Sequence, residues 1–172
     1  MHVLDIFRFC PVCGSDRFTE HNEKSKHCDA CGFTYYLNPS SATVALITNP
    51  RGELLVVRRK KNPAKDTLDL PGGFCDIGET AEEGVCREVM EETGLKVTRA
   101  DYLFTVPNRY LYSGMTIPTM DQFFRCEVED TTHVHAMDDA KDAQWLKPED
   151  IRLEDFGLTS VRQGLARFLQ EK

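Results

Sequence analysis

Three glutamates, Glu88, Glu91 and Glu92, stand at i, i+3 and i+4 within GFCDIGETAEEGVCREVMEETGL, residues 73–95. On a helix this spacing lines them along one face. Like charges so placed cost a few tenths of a kcal/mol per pair, and a cation among them would remove that cost. An all-oxygen ligand set suits Mg²⁺ or Mn²⁺, whose remaining positions go to water and substrate phosphates. The plainer reading of such a row is a solvated acidic face. Ala81 and Gly84 lie on the acid side within the two preceding turns and leave room for a ligand. A mid-helix glycine costs roughly 1 kcal/mol relative to alanine, so Gly84 needs a reason.

A second set is Cys10, Cys13, Cys28 and Cys31, two C-x-x-C pairs separated by fourteen residues. Four thiolates in tetrahedral arrangement select Zn²⁺ and leave no open position, which makes such a metal structural. His27 could replace one cysteine, although a solvent-facing histidine is the simpler account. Thioredoxin-like redox chemistry expects one such pair beside a βαβ pattern, which is absent here. The remaining three of the seven cysteines, Cys75, Cys86 and Cys126, read as small buried hydrophobes.

The elements that must carry these groups follow from periodicity. A helix is expected from Thr80 to Thr93, with Val85, Cys86, Val89 and Met90 facing inward and Gly94 ending it. Ala42–Thr48 and Glu53–Arg59 read as a hairpin about an Asn49–Gly52 turn. Strands follow near 96–106 and 120–128, with the aromatic, basic PNRYLYSG (107–114) between them. Residues 131–141 read as a polar loop whose His133 and His135 are solvated. A strand at 143–146 and a helix from Leu158 to Glu171 finish the chain.

Gly73, Glu79, Arg87, Glu88, Val89, Glu91, Glu92, Gly94 and Leu95 fill every fixed position of the Nudix box, which this stretch closely resembles. The knuckles CPVCG and CDACG resemble a zinc ribbon. Together they imply an α/β fold: a Nudix-type α/β/α sandwich with a mixed sheet over residues 39–172, preceded by a small zinc ribbon over residues 1–38. The resemblance further implies that the Gly73 carbonyl joins Glu88, Glu91 and Glu92 on Mg²⁺ or Mn²⁺. It also implies that Glu79 and Arg87 form a supporting ion pair, and that the reaction is hydrolysis of a nucleoside diphosphate linked to a second group. The base stays open between Glu88, Glu92 and an acid on the later loop such as Asp139, six residues before Trp145.

A ribbon placed before such a domain is most similar to the NADH pyrophosphatase branch. That branch carries SQPWPFP-x-S after the box, where this chain has TVPNRYLYS (105–113), so NADH itself is not implied. Arg58, in a basic run with Arg59, Lys60, Lys61 and Lys65, could meet phosphates, although loop cations are commonly just solvated. Phe74, Phe104, Arg109, Tyr110 and Tyr112 are the candidate substrate contacts, against the alternative that the aromatics belong to a sheet core. Removal of NAD-type caps from RNA and non-catalytic nucleotide sensing are the rival functions.

The 172 residues carry a formal net charge of -7 and 41% hydrophobic side chains, enough for a core and unsuited to general nucleic-acid or anionic-membrane binding. Within residues 1–39, Arg8, Arg17, Lys24 and Lys26 are outweighed by Asp5, Asp16, Glu20, Glu23 and Asp29, so the ribbon has no basic patch. Nucleic acid is therefore expected only as a capped-RNA substrate, beside a nucleotide-type small molecule. No apolar leader and no run of 18 apolar residues is present, so neither signal peptide nor membrane partner is expected and the location reads as cytoplasmic. Oligomeric state is open, a homodimer included. The paired knuckles predict one tightly held zinc per chain. Elemental analysis of protein purified without added metal would detect it, and a zinc-free, fully folded preparation would refute it.

Overall fold

Alternation along three strands decides the architecture. On β4 (Ser40–Ile47), Val44 and Leu46 enter one buried cluster while Ala45 and Ile47 enter another. On β5 (Leu54–Arg59), Leu54 and Val56 join the first cluster and Leu55 the second. Phe123 and Phe124 divide the same way. A sheet with two apolar faces must be covered on both. The computed structural model describes residues 2–170. In it α1 (Ala81–Thr93) supplies Val85 and Val89 to the second cluster, and α2 (Thr159–Gln170) supplies Val161, Leu165 and Phe168 to the first. The result is the α/β/α sandwich.

The chain divides into two compact units. The first comprises Met1–Pro39 and Arg109–Pro118, the second Ser40–Asn108 and Thr119–Lys172. In the first, β1 (Phe18–Asn22), β2 (Ser25–Cys28) and β3 (Thr34–Tyr36) form an antiparallel sheet. Its apolar core is small: Cys10, Phe18 and Cys28, with Phe33 against them. Outside the first unit's Arg109–Pro118, β6 (Leu68–Asp69), β7 (Val97–Tyr112), β8 (Met115–Val128) and β9 (Ala140–Leu146) lie in the second unit and complete two ladders, ordered β4-β8-β7 and β6-β5-β9. β4 runs parallel to β8 and β5 antiparallel to both its neighbours, so the sheet is mixed.

Several expectations need correction. The turn at Asn49–Gly52 exists, with the Asn49 side chain accepting from Arg51 and Glu53 N–H. Its flanking strands nonetheless pair there by an isolated bridge, Thr48 with Leu54, and each finds its ladder elsewhere. Local turn chemistry does not choose a strand's partner. The strand expected near 96–106 runs further: β7 continues through PNRYLYSG to Tyr112, and Ser113 and Gly114 (φ 49° and 77°) make the two-residue turn. Two positive φ values fit a hairpin turn of type I′, and Pro107 is tolerated because β7 is an edge strand. β9 begins at Ala140 rather than Ala143. Met90 is 41% exposed, so the inward face of α1 is narrower than its apolar residues suggested. α2 starts at Thr159 and is described to Gln170, the expected Glu171 lying outside the described residues. Among the described residues, no helix is long and apolar enough to cross a membrane.

α1 is fixed at both ends. Thr80 Oγ1 accepts from Glu83 N–H, and the Glu83 carboxylate accepts from Thr80 N–H, a reciprocal capping box. Gly94, at φ 70°, closes the helix by donating to the Met90 carbonyl. Thr80→Ala should cost about 1 kcal/mol of unfolding free energy, the usual worth of such a cap, measurable by urea titration.

Candidate functional site

Arg87 organises the box. Its Nε and Nη2 donate to the two oxygens of Glu79 at 2.9 and 3.0 Å, a bidentate pair, while Nη2 also reaches the Phe74 carbonyl at 3.0 Å. Nη1 donates to Glu88 at 2.8 Å and Glu91 at 3.1 Å. One guanidinium thus binds the loop before α1 to the helix's acid face. The Arg87 fork, with help from the Asp76 N–H, holds the Glu79 carboxyl below the ordinary glutamate range. Hydrogen bonding to Glu79 in turn raises Arg87. Gly84 leaves space for Glu79 and Cys75 rather than for a ligand: a Cβ there would lie 3.1 Å from Glu79 Oε2 and 3.2 Å from Cys75 Sγ.

Glu92 is the deepest of the three metal candidates, 8% exposed, and accepts from Gly72 N–H at 3.1 Å. Gly72 must be glycine, because its φ is 149° and a Cβ would run into the Thr43 carbonyl. Burial, with the like charges of Asp69 and Glu88 adding to it, pushes the Glu92 carboxyl up to about 8. Burial also raises Glu88, against the pull of Arg87. Glu91 is half-exposed. A divalent cation would relieve the penalty on the buried acids, and an all-oxygen donor set fits a hard one. The three carboxylates are not drawn to a point. Among the described residues, the groups of three or more ligand atoms lying within 4.8 Å of one another are the four cysteines and His2, Asp5 and Glu20. The Gly73 carbonyl accepts from Thr43 N–H at 2.8 Å and from Thr43 Oγ1 at 3.5 Å, the longer contact being the one a cation would displace.

The cysteines fit zinc closely. All four are free thiols, with Cys10 Sγ 3.7 Å from Cys31 Sγ and Cys13 Sγ 3.6 Å from Cys28 Sγ. A tetrahedron with Zn–S near 2.3 Å has edges of about 3.8 Å. Gly14 and Gly32 N–H donate back to the Cys10 and Cys28 carbonyls, forming the two knuckles. His27 instead bonds Thr34 Oγ1 at 2.8 Å and is not a member of the cluster.

The substrate candidates fare unevenly. Phe104 is 5% exposed, stacked on Phe123 at 5.0 Å and covered by the Arg167 guanidinium at 4.2 Å, so it is a core residue and not a stacking surface. Phe74 is 38% exposed, its carbonyl held by Arg87. Arg58 donates to the Asp66 carbonyl at 2.7 Å and lines a cavity of about 400 Å³ with Asp66, Glu154 and Asp155, an acidic setting unsuited to phosphate. Asp139 pairs with Lys61 at 2.5 Å. Arg109, Tyr110 and Tyr112 belong to the first compact unit, whereas the box belongs to the second.

The sequence reading missed a buried ion pair beside the acids, Arg59 with Asp69, at 2.5 Å. An aspartate inside the apolar run Leu68–Leu70 was the available signal. Asp121, 4% exposed, was missed as well; it accepts from Thr119, Ser160 and Asn108.

The sequence model of the NUDIX domain matches residues 38–170. The protein named NAD-capped RNA hydrolase NudC from Stutzerimonas stutzeri is 28% identical over 164 residues, covering 95% of this chain and 55% of that protein. The protein of the same name from Deinococcus radiodurans is 30% identical over 147 residues, 84% of this chain and 50% of that one. The chain therefore spans about half the length of these curated relatives. A NUDIX hydrolase crystal structure from Nitrosomonas europaea superposes with TM-score 0.74 at 21% identity, over 96% of this chain and 92% of its own.

The raised Glu92 carboxyl has a pH signature. In the folded protein without divalent cation its proton is held up to about pH 8, whereas the unfolded chain releases it near the ordinary 4.5. Between those values the unfolded state binds fewer protons, so Glu92 destabilises the fold increasingly as pH rises. Glu92→Gln should raise the melting temperature more at pH 8 than at pH 5, without added Mg²⁺ or Mn²⁺. A gain independent of pH would show that the carboxyl is not held protonated.

Proposed function

The chain belongs to the Nudix family, and from that premise we propose that it is a metal-dependent pyrophosphohydrolase cleaving the diphosphate of a nucleoside diphosphate joined to a second moiety. The observation that carries this reading is the Arg87 fork, which ties the Glu79 loop to the helix face bearing Glu88, Glu91 and Glu92. Those three glutamates, with the Gly73 carbonyl, would hold Mg²⁺ or Mn²⁺. When bound, such a cation neutralises charge on the phosphate oxygens and acidifies an attacking water. Arg87 and Glu79 fix the loop against the helix, so that the carboxylates meet the diphosphate without a search over loop conformations. Glu88 or Glu92 would take the proton of the water; Asp139 is the weaker candidate because Lys61 already engages it.

The sulfur geometry supports a structural zinc on Cys10, Cys13, Cys28 and Cys31, in a module we place at residues 1–38 ahead of the hydrolase at residues 39–172. So small an apolar core leaves much of that module's stability to the metal.

For the substrate, we favour a dinucleotide of the NAD or ADP-ribose type over nucleoside triphosphates. The exposed Tyr112 and the neighbouring Arg109 and Tyr110 could supply a stacking face and a cation. A second reading, removal of an NAD-type cap from RNA, is supported by the name that the relatives bear. Turnover with Mg²⁺ or Mn²⁺ should be measured on NAD, NADH, ADP-ribose, NAD-capped RNA and nucleoside triphosphates. Dinucleotides are expected to lead. A tenfold preference in kcat/KM for triphosphates, about 1.4 kcal/mol, would overturn the class. Glu91→Gln should remove most turnover while the fold is kept. Tyr110→Ala should raise KM for dinucleotides.

A further inference from the structure

Asp69 is 6% exposed and sits at the end of β6, directly before the irregular segment 70–73. Its Oδ2 accepts from Arg59 Nη1 at 2.5 Å and its Oδ1 from Leu70 N–H at 2.9 Å. Two residues after Leu70, Gly72 N–H donates to Glu92 at 3.1 Å, and between them the Pro71 carbonyl accepts from Ala45 N–H at 2.7 Å. Hydrogen bonds at either end of the Leu70–Gly72 backbone thus link Arg59 on β5 to the deepest acid of α1. Asp69 and Arg59 also act on Glu92 through space, in opposite senses. Arg59 donates from Nε to the Pro63 carbonyl at 2.8 Å, which anchors its side chain along the wall of the second unit.

We propose that Arg59 and Asp69 are positioning residues for the divalent-cation site: paired, they cancel each other's charge beside Glu92 and hold the segment whose Gly72 N–H orients its carboxylate. The inference rests on the reading of Glu92 as a metal ligand. The charge balance explains why both partners are needed. A guanidinium beside Glu92 with no carboxylate of its own would compete with the incoming cation. A buried Asp69 without Arg59 would be an uncompensated acid, costly to keep charged. Neither residue is proposed to touch substrate.

The proposal predicts a compensating double-mutant pattern that a purely structural pair would not give. Mn²⁺ binding to the purified, zinc-retaining full chain is measured by paramagnetic resonance of free Mn²⁺ and by calorimetry, with metal-free melting alongside. Asp69→Asn, nearly isosteric, should weaken Mn²⁺ binding by about tenfold or more, because Arg59 turns toward Glu92. Arg59→Lys should bind Mn²⁺ close to the parent. The double variant Asp69→Asn with Arg59→Met should recover most of the lost affinity, even though its melting temperature stays lowered. Parental Mn²⁺ binding by a folded Asp69→Asn, or a double variant that binds as weakly as Asp69→Asn, overturns the pair's role. If the parent chain itself binds no Mn²⁺ and Glu92→Gln changes nothing, the metal-ligand reading of Glu92 fails instead.

Discussion

The second unit's site depends on one guanidinium with more acids than it can neutralise. Arg87 reaches Glu79, Glu88 and Glu91 together, with the Phe74 carbonyl closing the fork. A single charge shared among three carboxylates leaves a net negative surface, held rigid by bidentate geometry on the Glu79 side. The rigidity and the surplus charge have the same origin. Lysine at this position would supply the charge without the planar fork. The loop and the helix would then lose the geometry that joins them.

That arrangement works only because backbone elements converge there. The capping box at Thr80 sets where α1 begins, and hence which residues meet Arg87. Gly72 brings its backbone against β4, so that its N–H points at Glu92. Val85 and Val89 bury the adjoining side of the helix against Ala45, Ile47 and Phe124. The acid face is therefore presented by a helix whose rotation is already fixed by packing. Burial makes Glu92 costly to ionise, a penalty that a bound cation would offset.

Much of this was legible in the residues. The i, i+3, i+4 spacing of the glutamates and the Gly94 stop locate the helix, because helical periodicity and local hydrogen bonding set both, whereas Thr80, expected inside the helix, caps it. The paired knuckles located the thiols for the same reason. Strand partnership was not legible: β4 and β5 each look like half of a hairpin, and only long-range packing sends them to different ladders. Phe104 was misplaced because an aromatic in an alternating strand has the same sequence signature whether it lines a pocket or fills a core. The Arg59 and Asp69 pair was invisible for a related reason. Its partners are ten residues apart on strands whose pairing had not been foreseen.

The hairpin of β7 and β8 gives its tip, Arg109–Pro118, to the first unit while its stems stay in the second. The backbone therefore passes from one unit to the other three times, at 39/40, 108/109 and 118/119. No single scission separates them. The cysteine-bearing segment is thus not a detachable cassette, since a cut at residue 39 would leave part of its unit on the other fragment. A variant lacking residues 1–39 would leave the Arg109–Pro118 tip without the rest of its unit.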